Sequence, residues 1–95
     1  MNGLDKHYGS FYNLVNQLDT SLLKLWDTKE HSYRVREVEE YLKICSSGQE
    51  VLLSFLMICW LGRNEFDFDI LNAFKYLNQS QLNVIGEWVK NPIFY

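Results

Sequence analysis

The stretch from Val51 to Leu61, VLLSFLMICWL, decides the fold, because ten of its eleven residues are apolar and only Ser54 is polar. The run is too short to cross a bilayer, which takes about 20 residues, and the charged residues Glu50 and Arg63 bracket it. A helix that is apolar on every side must be surrounded by other elements. We therefore expect a buried core helix.

Local signals define both ends of this helix. Ser47 and Glu50 have the S-x-x-E spacing of a capping box, in which each side chain accepts a free backbone N–H of the first turn. Gly62 stands where a left-handed C-terminal cap favours glycine. The sequence therefore predicts a central helix over residues 48–61.

Four further segments carry apolar residues at the spacing of one helix face. The first two predict a single long helix over residues 8–26 and a second helix over residues 33–46. Two shorter helices are predicted over residues 70–77 and 79–90, and an N-x-x-Q capping box that begins at Asn78 opens the last one.

The segments between these helices do not predict strands. Residues 27–32 lack any periodicity and are expected to form a plain connection, and the alternation over residues 65–69 is too short to build a sheet. We therefore predict an all-α fold. We expect the chain to form a single domain over residues 1–95, a compact bundle of about five short helices around the central apolar helix at 48–61.

Charge and cysteine content narrow the classes of function. The chain has 9 Lys and Arg against 12 Asp and Glu, which gives a net charge of −3. Nucleic-acid binding usually requires a basic surface, and this charge balance does not indicate one. The N-terminal segment lacks the basic and apolar regions of a signal peptide. Cys45 and Cys59 are too few for a disulfide framework. We expect a cytoplasmic protein with no membrane attachment.

No catalytic motif is present. His7 and His31 have no partner at a fixed spacing such as that of HExxH, and no serine or cysteine lies in a nucleophile motif. We therefore predict that the protein is not an enzyme and takes no cofactor.

The acidic loop over residues 64–69 supports one alternative, a metal-binding protein. Its oxygen-bearing side chains, Asn64, Glu65, Asp67 and Asp69, are of the type that holds calcium or magnesium. The loop lacks the glycine and the final glutamate of an EF-hand, and helix capping explains Asp67 or Asp69 without a ligand. No metal site is predicted.

The last two predicted helices support another alternative, a nucleic-acid-binding regulator. Residues 70–90 have the length of a helix-turn-helix unit, and three amide side chains at the start of its second helix are able to address adenine edges: Gln79, Gln81 and Asn83. Only Lys75 and Lys90 are basic across this unit. The scarcity of phosphate contacts disfavours this alternative.

Several large side chains fall outside the predicted helix faces and form our candidate partner surface. They either fasten loops to the core or contact a partner, since aromatic residues are enriched at interfaces. The six residues are Trp26, Phe66, Phe68, Ile93, Phe94 and Tyr95.

These observations favour a small helical protein-protein interaction module without enzymatic activity, such as an adaptor, an inhibitor or an antitoxin-like component. Its expected partner is another protein. We also expect a homodimer, because four short helices supply little cover for a helix that is apolar on every side, and a second copy would complete it.

Overall fold

The computed structural model describes the backbone of residues 3–95 and the side chains of residues 7–95. The chain is 70% helical, so the predicted all-α class is confirmed, with a small two-stranded hairpin in addition. The elements in chain order are α1 (Gly3–Leu18), a 3-10 helix (Thr20–Leu25), β1 (Trp26–Asp27), β2 (Ser32–Tyr33), α2 (Val35–Ile44), α3 (Ser47–Leu61), α4 (Ile70–Tyr76) and α5 (Gln79–Lys90).

Helix α3 forms the centre of the core, as predicted. Leu53, Leu56 and Met57 are completely buried by the chain itself. Its one interior polar group, the Ser54 hydroxyl, donates to the carbonyl of Glu50 at 2.8 Å and lies 3.3 Å from that of Phe66. The rest of the chain therefore supplies the cover that α3 needs. The cover of α3 therefore does not require a second copy of the chain, and the predicted homodimer stays a prediction without this support.

The ends of α3 are close to the predicted ones, with one correction. Gly62 caps the C-terminus in the left-handed region, with φ 75°. The capping box at the N-terminus begins one residue earlier than predicted, since the Gln49 N–H donates to Ser46 Oγ at 3.2 Å and the Ser46 N–H to Gln49 Oε1 at 3.0 Å. The pattern Ser46-x-x-Gln49 has the same geometry as the predicted Ser47-x-x-Glu50, so spacing alone does not distinguish them.

The single long helix predicted over residues 8–26 is wrong, because the chain breaks at Asp19. This residue has an extended backbone, with φ −164°. Its carboxylate accepts the Ser21 N–H at 3.0 Å and the Ser21 hydroxyl at 2.7 Å, which starts the 3-10 helix. The apolar stripe nevertheless continues through the break, and Leu22 and Leu25 are both buried.

The plain connection predicted over residues 27–32 is also wrong, because it forms an antiparallel hairpin. Trp26 pairs with Tyr33, and Asp27 with Ser32. The Asp27 carboxylate accepts two backbone N–H groups of the turn, each at 3.0 Å. These backbone hydrogen bonds lower the pKa of Asp27. The turn of the hairpin is therefore fixed locally by the Asp27 side chain, and no alternating strand pattern in the sequence announces it.

The hairpin is fastened to α1 through His31. This residue has a left-handed backbone, with φ 55°. Its ring stacks on Tyr8 with centroids 4.1 Å apart, and its Nδ1 lies 2.9 Å from the Tyr12 hydroxyl. The hairpin takes up Tyr33, so α2 begins at Val35 rather than at residue 33.

The last two helices agree with the sequence-based prediction. The Asp69 carboxylate caps α4 by accepting the Leu71 N–H at 2.9 Å. The Asn78 and Gln81 capping box opens α5. The Gln81 amide also donates to the Leu18 carbonyl at 3.2 Å, which ties α5 to the end of α1. In the part of the chain that the structure describes, no helix has the length and apolarity that crossing a membrane would take.

Candidate interaction surfaces

Trp26, the first residue of the predicted partner surface, belongs to the core. It is 2% exposed. Its ring lies 5.1 Å from Phe11 and 6.0 Å from Trp60, both in edge-on geometry. Because β1 turns this side chain inward, a partner cannot reach most of it.

Phe66 and Phe68 fasten the acidic loop to α3. Both are half-buried against the core cluster, and the Phe68 ring lies 5.8 Å from Phe55. The Asn64 side-chain amide forms two hydrogen bonds with the Phe68 backbone. It accepts the Phe68 N–H at 2.7 Å and donates to the Phe68 carbonyl at 3.1 Å. These two aromatics therefore serve loop packing.

The C-terminal tail folds back onto the body of the protein. The Tyr95 N–H donates to the Cys59 carbonyl at 2.8 Å, which satisfies a carbonyl near the open end of α3. The Trp88 indole donates to the Ile93 carbonyl at 3.0 Å, and the Phe94 ring packs edge-on against Trp88 at 5.5 Å. Ile93 and Phe94 remain 44% and 50% exposed.

The acidic loop uses three of its four oxygen-bearing side chains internally. Arg63 pairs with Glu65 at 3.3 Å, Asn64 holds the backbone of Phe68, and Asp69 caps α4. Over the residues that the structure describes, there is no group of three or more His, Cys, Asp or Glu placed to hold a metal ion. The loop thus gives no support to the metal-binding alternative.

The amide side chains that suggested base recognition are also engaged within the helix pair α4 and α5. Gln79 Nε2 donates to Asn83 Oδ1 at 2.9 Å. The Gln81 side chain accepts the Asn78 N–H at 3.1 Å. Of the two lysines, Lys90 is paired with a glutamate of its own helix at 3.2 Å. These contacts use part of the hydrogen-bonding capacity of the amides, and the nucleic-acid-binding alternative stays a prediction.

Among the side chains that the structure describes, the most exposed cluster of large apolar residues on a single helix lies on α4, outside the six residues predicted to contact a partner. Leu71 is 71% exposed, Phe74 64% and Ile70 47%. These three residues, spaced i, i+3 and i, i+4, share one side of the helix; we call them the α4 face. Ala73 is the only buried residue of α4. The helix therefore packs on the protein through Ala73 and through partial cover of Ile70 and Tyr76, which are 47% and 45% exposed, and turns Leu71 and Phe74 outward.

A groove with a volume of about 680 Å³ lies between the 3-10 helix and α2. Its apolar wall includes Leu25, Tyr41 and Ile44, and Ile44 is 84% exposed. Its charged rim consists of Lys24, Arg34, Arg36, Glu37 and Glu40. We call this feature the α2 groove.

Several charges on the rim are only weakly compensated within the chain. Arg34 lies 4.0 Å from Asp27, at the limit of an ion pair, while Glu40 pairs with Lys43 at 3.5 Å. Within the described residues, the other rim charges, Lys24, Arg36 and Glu37, form no ion pair. Lys24 lies over the Tyr41 ring, 5.9 Å from its centroid, so Arg36 is the one rim cation with neither an ionic nor a ring partner among the described residues.

Two buried polar atoms of residues that line the groove lack a hydrogen-bond partner among the described residues. They are the Trp26 indole nitrogen and the Tyr41 hydroxyl. Burial, followed by the nearby Asp19 and Cys45, raises the pKa of Tyr41 to about 12. The hydroxyl is therefore neutral at physiological pH.

No family model, curated protein or solved structure matches this chain.

Proposed function

We propose that this protein is a non-enzymatic interaction module that docks a partner protein through the α4 face. An adaptor, an inhibitor and an antitoxin-like component are the roles that suit such a module. The single observation that carries the proposal is the exposure of Leu71, Phe74 and Ile70 on one side of a seven-residue helix. Contiguous apolar surface of this kind marks interaction sites more often than chance exposure.

The chemistry of the face suits a protein partner. Leu71 and Phe74 lie one turn apart on the same helix and offer adjacent apolar groups, and aromatic residues such as phenylalanine are enriched at interfaces. Lys75 is the only basic residue of α4, which disfavours a nucleic-acid partner. The two free thiols, Cys45 and Cys59, suit a reducing compartment, so the proposal places the protein in the cytoplasm.

The experiment compares partner capture by three tagged forms of the chain from lysate of its native host. The face variant carries Leu71→Glu and Phe74→Glu. The control variant carries Val89→Glu, which replaces a similarly exposed apolar residue on α5, 61% exposed. We expect a protein that the wild type and the control both retain and the face variant loses. Retention of the same proteins by all three folded forms would contradict the proposal.

A further inference from the structure

We propose that the α2 groove binds a small organic carboxylate, a molecule with an apolar body and a single negative charge. This site goes beyond the proposed function, because it uses no residue of the α4 face. The groove has a volume of about 680 Å³, within the range of about 300–1,000 Å³ that is typical of small-molecule pockets. Such pockets combine mostly apolar walls with a few polar groups that orient the ligand.

Two buried hydrogen-bond donors without a partner distinguish this groove. Among the residues that the structure describes, the buried side-chain polar atoms that lack a partner are the Trp26 indole nitrogen and the Tyr41 hydroxyl. Both residues line the groove, and they are 2% and 8% exposed. Buried polar groups in folded proteins almost always have a partner, and an unmade hydrogen bond destabilises the fold. A ligand that accepts from these donors would remove that cost.

The chemistry of the two groups indicates an acceptor. The Trp26 indole N–H can only donate, and the Tyr41 hydroxyl, which is neutral at physiological pH, has a proton to donate. A carboxylate accepts without donating and has two oxygens, so it suits a pair of donors better than an alcohol or an amide does. Hydrogen bonds to a charged acceptor are also stronger than neutral ones.

The charges on the rim of the groove favour an anion. Three cations and two acids line it, and one of the acids, Glu40, is already paired with Lys43 at 3.5 Å. Arg36 has neither an ionic nor a ring partner in the described chain. Its planar guanidinium matches a carboxylate, so we assign it to the bound charge. The other acid, Glu37, opposes an anion.

The apolar wall suits the body of the ligand. Leu25 and Ile44 line the groove, and Ile44 is 84% exposed, so an apolar body against it would bury surface that the chain leaves in water. The two donors are covered, and a ligand reaches them when an exposed side chain moves aside. We assign this movement to Lys24, which is exposed and lies over the Tyr41 ring at 5.9 Å, because exposed side chains change rotamer within nanoseconds.

The test follows the Trp26 indole directly by NMR. The probes are octanoate and phenylacetate, which share the carboxylate and differ in an aliphatic or aromatic body, and octanol is the uncharged match for octanoate. We expect at least one carboxylate to shift the Trp26 indole N–H resonance, which Trp26→Phe assigns by removing it. The Trp88 indole already donates to the Ile93 carbonyl at 3.0 Å, so its resonance is the internal control and should not shift.

Point variants separate the parts of the site. Tyr41→Phe removes a hydroxyl that has no partner in the described chain, so the variant is expected to fold, which an unfolding curve checks. It should weaken carboxylate binding by about tenfold or more, the effect of losing a hydrogen bond to a charged group. Arg36→Gln should weaken binding severalfold. Its matched control, Glu37→Gln, should strengthen binding instead, and both positions are exposed.

Three results would overturn the proposal. The first is a Trp26 indole resonance that neither carboxylate shifts at millimolar concentration. The second is equal binding of octanol and octanoate, which would show that the groove takes any apolar chain. The third is a carboxylate affinity that Tyr41→Phe and Arg36→Gln both leave unchanged, the behaviour of adventitious association. None of these results bears on partner capture by the α4 face, so the two proposals fail separately.

Discussion

Helices α3 and α4 are both rich in large apolar side chains, yet the chain covers one and leaves the other open. Leu53 and Leu56 of α3 are completely buried, whereas Leu71 and Phe74 of α4 are 71% and 64% exposed. Both helices begin with a side-chain cap, so local helix chemistry does not separate them. The difference is tertiary: α3 has neighbours on every side, and α4 has Ala73 as its only buried residue. Apolar composition alone therefore does not decide whether the chain covers a helix.

The sharpest way to break this comparison is a matched pair of leucine truncations. We expect Leu56→Ala to lower the free energy of unfolding by about 3–5 kcal/mol, because it leaves a cavity in a packed core. We expect Leu71→Ala to change it by less than about 0.5 kcal/mol, because that side chain has little to lose. Urea unfolding of the monomer measures both. Equal costs at the two positions would show that α4 is packed as α3 is.

The buried thiol of α3 gives a second expected effect, on alkaline stability. Burial raises the pKa of Cys59 from 9.0 to about 12. A raised folded-state pKa means that the stability it confers is complete below about pH 9 and is lost as the pH rises toward 12, because unfolding then releases a proton. We expect the free energy of unfolding to fall across this window.

The control for this effect is the half-buried Cys45. Cys59→Ala should flatten the alkaline decline between about pH 8 and 10, below the range in which Tyr41 adds its own contribution. Cys45→Ala should change the slope of the free energy of unfolding against pH less than Cys59→Ala does. An identical slope in the wild type and Cys59→Ala would contradict the raised pKa assigned to Cys59.

The smallest expected effect concerns the start of α3. Ser46→Ala removes the side chain that accepts the Gln49 N–H and should lower the free energy of unfolding by about 1 kcal/mol. Ser47→Ala, one residue later, should cost less than about 0.5 kcal/mol. Thermal unfolding of both variants checks the register. The reverse order would restore the capping box predicted at Ser47 and Glu50.

Sequence reasoning succeeded where structure depends on neighbours along the chain. The stop at Gly62 and the capping box at Asn78 follow from backbone groups that must be satisfied within a few residues. It failed at Asp19, because the apolar stripe keeps its helical spacing across the break and therefore hides it. It also failed for the hairpin, which is too short to produce an alternating pattern.

The candidate surfaces were harder to predict, because they depend on packing between distant elements. Trp26 lies outside the helix faces in sequence but is buried by rings of α1 and α3. The α4 face fits a helical pattern that resembles any buried stripe. Leu71 and Phe74 point outward only because of where α4 lies on the protein. The sequence therefore carries no signal for the exposure of these two side chains.

Partner capture from lysate of the native host, by the wild type beside a folded Leu71→Glu variant, tests the central claim, that α4 presents a docking surface rather than a core face. The account predicts a protein that the wild type retains and the variant loses. Retention of the same proteins by both folded forms would contradict it.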